Sequence, residues 1–120
     1  MICDATVPQI RATIVLGGAD NQLRAARHGM ALHQRGILYV PDYTANVGGL
    51  IDIAMEGPGY APESVLLECE SIYRTTARLL REAVRREVAP SQLADEIAAK
   101  RIADPDSGPN HLPNALRLSA

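Results

Sequence analysis

Two loops hold most of the residues whose types and spacing could do chemistry. They are Gly17-Gly18-Ala19-Asp20-Asn21 and Pro41-Asp42-Tyr43-Thr44-Ala45-Asn46-Val47-Gly48-Gly49. Each follows a short apolar run and leads into a helical pattern. At such junctions the free backbone N–H groups and the helix dipole favour polar or anionic ligand groups. Glycines there let a ligand approach the backbone closely. The plainer alternative is a pair of ordinary strand-to-helix loops with Asx caps, and residue types alone favour it. Asp42 and Asp52 make a conceivable acid/base pair. Asp52 sits among Leu50, Ile51, Ile53 and Ala54, and the solvent side of that helix is its simpler placement. Lys100 is the sole lysine, so any mechanism needing a buried amine has one candidate, and its surroundings are those of a solvated helix residue.

Other reactive residues carry weaker signals. His28 and His33 are five apart, a poor spacing for one helix face, and His111 lies far downstream, so no metal site is expected. Arg74, Arg78, Arg81 and Arg85 recur on one helical face, as a phosphate-binding stripe would. Glu70, Glu82 and Glu87 interleave with them at offsets that neutralise the face, which favours a solvated surface or a subunit contact. Cys3 and Cys69 form no disulfide framework. They read as small buried hydrophobes in a reduced, cytoplasmic setting.

The composition narrows the classes of function. A chain of 120 residues suffices for one compact domain. Twelve Lys+Arg against fourteen Asp+Glu give a net charge of -2, which opposes a generic nucleic-acid or anionic-membrane binder. With no Trp, no Phe and four Tyr, a base-stacking platform is poorly supplied. A hydrophobic share of 47% excludes simple disorder. Neither a signal-peptide pattern nor an apolar run long enough to span a membrane is evident.

The elements that must position these loops follow from periodicity and punctuation. Asp4 to Ile10 predicts a short helix, with Asp4 or Thr6 near its cap and Pro8 in its first turn. Ala12 to Leu16 predicts a strand buried on both faces. A helix is expected over 20–35, with Asp20 or Asn21 as N-cap and Gly36 just past its end. Ile37 to Val40 predicts a second strand, stopped by Pro41-Asp42. Strand, helix and strand make a parallel βαβ unit. Helix is then expected over 46–56, broken by Gly57-Pro58-Gly59. A long helix follows from Ala61 to about Val88, ended by Pro90, with Val65, Cys69, Ile72, Leu79, Leu80 and Ala83 as its apolar stripe. Ser91 is expected to cap a last helix, with Leu93, Ile97 and Ile102 on one face and Asp95 and Glu96 in its first turns. Residues 104–120 read as an irregular tail. The fold class expected is α/β: a partial Rossmann-like domain, one parallel βαβ unit followed by three helices, helix-rich throughout. Two strands do not make an independently stable sheet, so a second copy or another protein is expected to pair with them.

The motifs in chain order carry a resemblance. Asp4-Ala5-Thr6-Val7-Pro8-Gln9-Ile10, Gly18-Ala19-Asp20-Asn21-Gln22-Leu23, Arg27-His28-Gly29, Gly36 to Tyr43, and Asn46-Val47-Gly48-Gly49-Leu50-Ile51 resemble the C-terminal half of the cofactor domain of the glutamate/leucine/phenylalanine/valine dehydrogenases. The leucine dehydrogenase branch is the most similar, over about residues 4–103. The resemblance implies NAD-dependent oxidative deamination of an L-amino acid to a 2-oxo acid. It implies that Ala19 and Asn21 lie by the nicotinamide ribose and Asn46 by the nicotinamide end, and that Thr44 and Val47 line the pocket for the substrate side chain. Thr44 stands where leucine-type enzymes usually carry valine, and Val47 where a small residue is usual.

The family's Gly-x-Gly-x-x-Gly turn, its ribose-binding acid and its catalytic lysine and aspartate have no counterpart in these 120 residues. The sequence begins downstream of all of them, and no catalytic residue is assigned. Two readings stand at this point. In one, the chain is a truncated part of an amino-acid dehydrogenase, not competent alone, with NAD affinity weak or lost, working with a companion subunit. In the other, it is a repurposed homodimeric binding protein or enzyme built around Asn21, Thr44, Asn46 and Asp52, with no use of NAD.

Overall fold

The computed structural model describes residues 1–103; the expected tail at 104–120 lies outside them. Its centre is a two-stranded parallel sheet, β1 (Ile14–Val15) and β2 (Leu38–Tyr39), in register Ile14 to Leu38 and Val15 to Tyr39. Helix α1 (Ala26–Gln34) connects them. A partial Rossmann-like α/β unit is therefore present, as the alternation of apolar runs and helical spacing requires. Both strands are shorter than their apolar runs. β1 is not buried on both faces: Ile14, and Leu16 just past the strand, are 58% and 59% exposed. No third strand covers them among the described residues.

Helix α1 starts later than Asn and Asp residues suggest. Asp20 and Asn21 precede it by several residues, and Asn21 takes a left-handed conformation (φ 53°) that asparagine tolerates better than most residues. Ala25 is the N-cap. Its backbone N–H donates to Nδ1 of His28 at 3.0 Å, the position a Glu or Gln holds in a capping box. With Nδ1 accepting, the His28 proton sits on Nε2 and is donated to Asp4 Oδ1 at 3.1 Å. His28 is thereby a buried structural residue. The other end of α1 closes on Gly36 (φ 71°), with Ile37 N–H reaching back to the Leu32 carbonyl at 3.0 Å.

The first ten residues strap both ends of α1. A 3₁₀ turn spans Val7–Gln9, with Pro8 in it and Thr6 at its N-cap. Asp4 pairs with Arg27 at 2.7 Å. Arg35 donates to the carbonyls of Val7 and Ile10. Val7, Leu32, Ile37 and Tyr39 form one buried cluster beneath this strap.

After β2 the chain is helical. α2 (Asp42–Ala45) is a single turn ahead of the expected helix, and α3 (Gly48–Met55), with Val47 as N-cap, is the helix expected over 46–56. Beyond Gly57-Pro58-Gly59 comes α4 (Pro62–Arg86), with Pro62 at its first position. Val65, Leu79 and Ala83 of its stripe are buried. Glu87, left-handed at φ 53°, ends α4. Pro90 does not end that helix: it opens α5 (Pro90–Ala103), which puts Ser91 inside the first turn and Asp95 and Glu96 beyond it. Leu79, Ala83, Leu93 and Ala94 form a second buried cluster. Ile102 is 80% exposed and leaves the expected apolar face. Of the arginine stripe, Arg85 forks onto Glu82 at 2.8 and 2.6 Å; Arg86, beside the stripe, reaches Glu96 of α5 at 2.8 Å.

Candidate functional site

The βαβ topology brings the two loops together at the carboxyl ends of β1 and β2, where ligands bind in open α/β sheets. Their contact is built from short polar side chains. Asn46, just after α2, donates its Nδ2 to the Gly18 carbonyl at 2.8 Å and to Asp20 Oδ1 at 3.3 Å. Asp42 Oδ2 accepts the backbone N–H of Asn21 at 2.7 Å. Asp42 Oδ1 accepts the Tyr39 hydroxyl at 2.8 Å. The carboxylate is buried and satisfied by both donors, as a charge removed from water requires. Burial and this carboxylate raise the Tyr39 phenol well above its ordinary value, so it stays a donor. Gln22 donates to the Gly17 carbonyl at 2.8 Å and closes the first loop on itself.

Ala19, Asn21 and Asn46 thus lie in one exposed patch. The Asn46 amide hydrogens are committed within it, and its Oδ1 accepts no protein hydrogen bond among the described residues. Thr44 and Val47 are not placed alike. Thr44 is half-buried, donates to the Pro41 carbonyl at 2.8 Å and faces a cavity between α2, α4 and α5. Val47 caps α3, its carbonyl accepting the Ile51 N–H at 3.0 Å, and does not line that cavity.

The imagined Asp42/Asp52 pair does not form. Asp52 accepts the Tyr60 hydroxyl at 2.8 Å, whereas Asp42 serves Tyr39 and Asn21. Lys100 is exposed in the last turn of α5. Cys3 and Cys69 are free and half-buried rather than fully buried. The Thr6 hydroxyl lies 3.6 Å from the Cys3 sulfur, and its hydrogen bond lowers that thiol's pKa. Among the described residues no three His, Cys, Asp or Glu side chains group to hold a metal ion. No described helix is long and apolar enough to cross a membrane.

Two features escaped the sequence. The Asp42 latch joins residues 21 apart, and Asp42 reads locally only as a strand stop. The cavity of about 400 Å³ behind Thr44 is lined from α4 and α5 by Thr75, Arg78, Leu79, Ile97 and Arg101. Arg78 was visible only as one member of a charge stripe.

Comparison with known proteins fits this geometry. Over 100 residues the chain is 44% identical to leucine dehydrogenase of Bacillus cereus, a match covering 83% of this chain. The chain is homologous to part of the leucine, phenylalanine and valine dehydrogenases. Phenylalanine dehydrogenase of Lysinibacillus sphaericus is 38% identical over 102 residues, and valine dehydrogenase of Streptomyces albus 39% over 101. The solved L-tryptophan dehydrogenase of Nostoc punctiforme superposes with a TM-score of 0.77 at 35% identity, covering 86% of this chain and 32% of that one. This dehydrogenase-related chain spans about 27% of the length of the leucine dehydrogenase it matches. No family model matches it.

Proposed function

We propose that the chain forms the nicotinamide-side wall of an NAD-dependent amino-acid dehydrogenase working in the cytoplasm. The observation that carries this reading is the 44% identity to a leucine dehydrogenase over 100 residues. The exposed Ala19, Asn21 and Asn46 patch at the carboxyl ends of the strands supports it. These residues fit the nicotinamide half of the dinucleotide: the patch is open, and Asn46 Oδ1 is an acceptor for a ribose hydroxyl or carboxamide N–H. The diphosphate half is not provided for. Gly17-Gly18 and Gly48-Gly49 lack the spacing of a Gly-x-Gly-x-x-Gly cradle.

When bound, the dinucleotide accepts the hydride. The chain's own residues orient that group and shape one side of the cleft, with Thr44 and Val47 toward the substrate side chain. Amino-acid oxidation also needs a base and a substrate carboxylate site held against the cofactor. These come from further sequence of the same polypeptide or from a companion subunit. The test is a titration of the 120-residue chain with NADH, followed by amide NMR. Shifts confined to Ala19, Asn21, Asn46 and their neighbours support the reading, and an unperturbed patch at millimolar NADH overturns it. Adding the remaining portion of a leucine dehydrogenase is expected to restore NADH production from L-leucine.

The exposed Ile14 of β1 and Leu16 just after it favour a second reading, a self-associating binding protein without NAD. Sedimentation decides it: a homodimer with no NADH response supports this reading, and a monomer removes it.

A further inference from the structure

We infer that the half-open cavity between α2, α4 and α5 is a binding site for a small aliphatic monocarboxylate, separate from the patch of Ala19, Asn21 and Asn46 at the strand ends. The cavity holds about 400 Å³, within the range of small-ligand sites. Apolar cavities of about 150 Å³ accept benzene, so this one takes an acyl chain of roughly six to eight carbons. Its floor is apolar, formed by Leu79, Ala94, Ile97 and Ala98. Its border is cationic.

Arg78 of α4 and Arg101 of α5 both line the cavity, and both are exposed. Neither makes a hydrogen bond or ion pair with another described residue, unlike Arg27, Arg35, Arg85 and Arg86. Their aliphatic stems add to the apolar wall while the guanidinium groups stay at the wet edge. Glu82 also borders the cavity, but both its carboxylate oxygens are held in the fork of Arg85. It therefore does not consume Arg78. The Tyr43 hydroxyl is likewise engaged, donating to Asp95 at 2.6 Å. Among the described residues the polar groups left without a partner are thus two guanidinium groups and the Thr75 hydroxyl, above an apolar floor. That combination selects a ligand with one anionic head and a hydrocarbon tail. An inorganic anion would leave the floor wet, and an alcohol would leave the guanidinium groups unused. Tyr43 and Thr44 of the second strand-end loop reach this cavity, whereas Ala19, Asn21 and Asn46 do not, so the inference does not depend on cofactor binding.

The experiment is calorimetry and amide NMR on the 120-residue chain with sodium hexanoate. Binding is expected at about millimolar or tighter, the range open to a ligand of this size. NMR shifts are expected at Thr75, Arg78, Ile97, Ala98 and Arg101. Each methylene from butanoate to hexanoate should tighten binding about three- to fourfold. Arg78→Gln and Arg101→Gln should each weaken it about tenfold. Arg81→Gln, on the same helix but outside the cavity, should leave it unchanged. Circular dichroism confirms that each variant keeps its fold. Hexan-1-ol or inorganic phosphate binding as tightly as hexanoate, shifts centred at Ala19, Asn21 and Asn46, or no binding at all would overturn the inference.

Discussion

Asp42 holds Asn21 in place: Oδ2 of the buried carboxylate accepts the Asn21 backbone N–H at 2.7 Å, across 21 residues of chain. The acceptor lies in the first turn of α2 and the donor in the loop after β1, so one side chain fixes the spacing of both strand-end loops. It also fixes a residue whose left-handed φ has no glycine to ease it.

Replacing Asp42 by Ala strands two donors, the Asn21 N–H and the nearly inaccessible Tyr39 hydroxyl. We expect a loss of about 2–4 kcal/mol in urea denaturation. Tyr39→Phe removes one donor and leaves the carboxylate its backbone partner, so about 1 kcal/mol is expected. A double-mutant cycle should return clear non-additivity, because the two residues share one hydrogen bond.

Gly29 lies where α1 meets α5. A Cβ there would come 2.3 Å from Ser91 Oγ and 3.2 Å from Leu23 Cδ1. Ser91 is buried and has little room to withdraw. Gly29→Ala should therefore destabilise by about 1–3 kcal/mol despite the better helix propensity of alanine, as thermal unfolding would show. A rise in melting temperature would contradict the packing described.

The two helix stops predict opposite signs. Gly36 and Glu87 both end helices with positive φ, at 71° and 53°. Gly36→Ala should cost about 1 kcal/mol, and Glu87→Gly should stabilise by about 0.5–1 kcal/mol. Chemical denaturation of the pair of variants tests both at once.

Acid stability should depend on Asp4. Its hydrogen bond from Arg27, assisted by that from His28, holds its carboxyl at about 2, below the ordinary 3.8. A depressed native value means that the unfolded chain takes up the proton first. The contribution of Asp4 is whole above about pH 4 and fades as the pH falls through about 2. Asp4→Asn should flatten this part of the stability profile and leave the slope near neutrality unaltered. An identical acid limb in both proteins, followed by circular dichroism, would contradict the pairing.

Local backbone rules made much of this fold readable. Gly36, Gly57-Pro58-Gly59 and Pro62 act within a few residues, and each stands where its φ preference or missing N–H places it. The βαβ alternation brought the loops of Asn21 and Asn46 to one end of the sheet by topology alone. What resisted was set by distant partners. His28 caps α1 although imidazole is not a usual capping group, and it does so because Asp4 orients it from the other side. Pro90 fits both the end of one helix and the start of the next, and the left-handed Glu87 settles which. β1 reads as doubly buried because its residues are apolar, yet burial depends on a neighbour that sequence periodicity does not supply. The Asp42 latch and the α2–α4–α5 cavity depend on how separate helices cross.

The two buried clusters, one around Leu32 and Tyr39 and the other around Leu79 and Leu93, have no residue in common. Heat or denaturant need not dissolve them together. The hairpin of α4 and α5 can open while the strapped sheet persists, and deuterium uptake by the amides of residues 62–103 would then run ahead of that at 26–40.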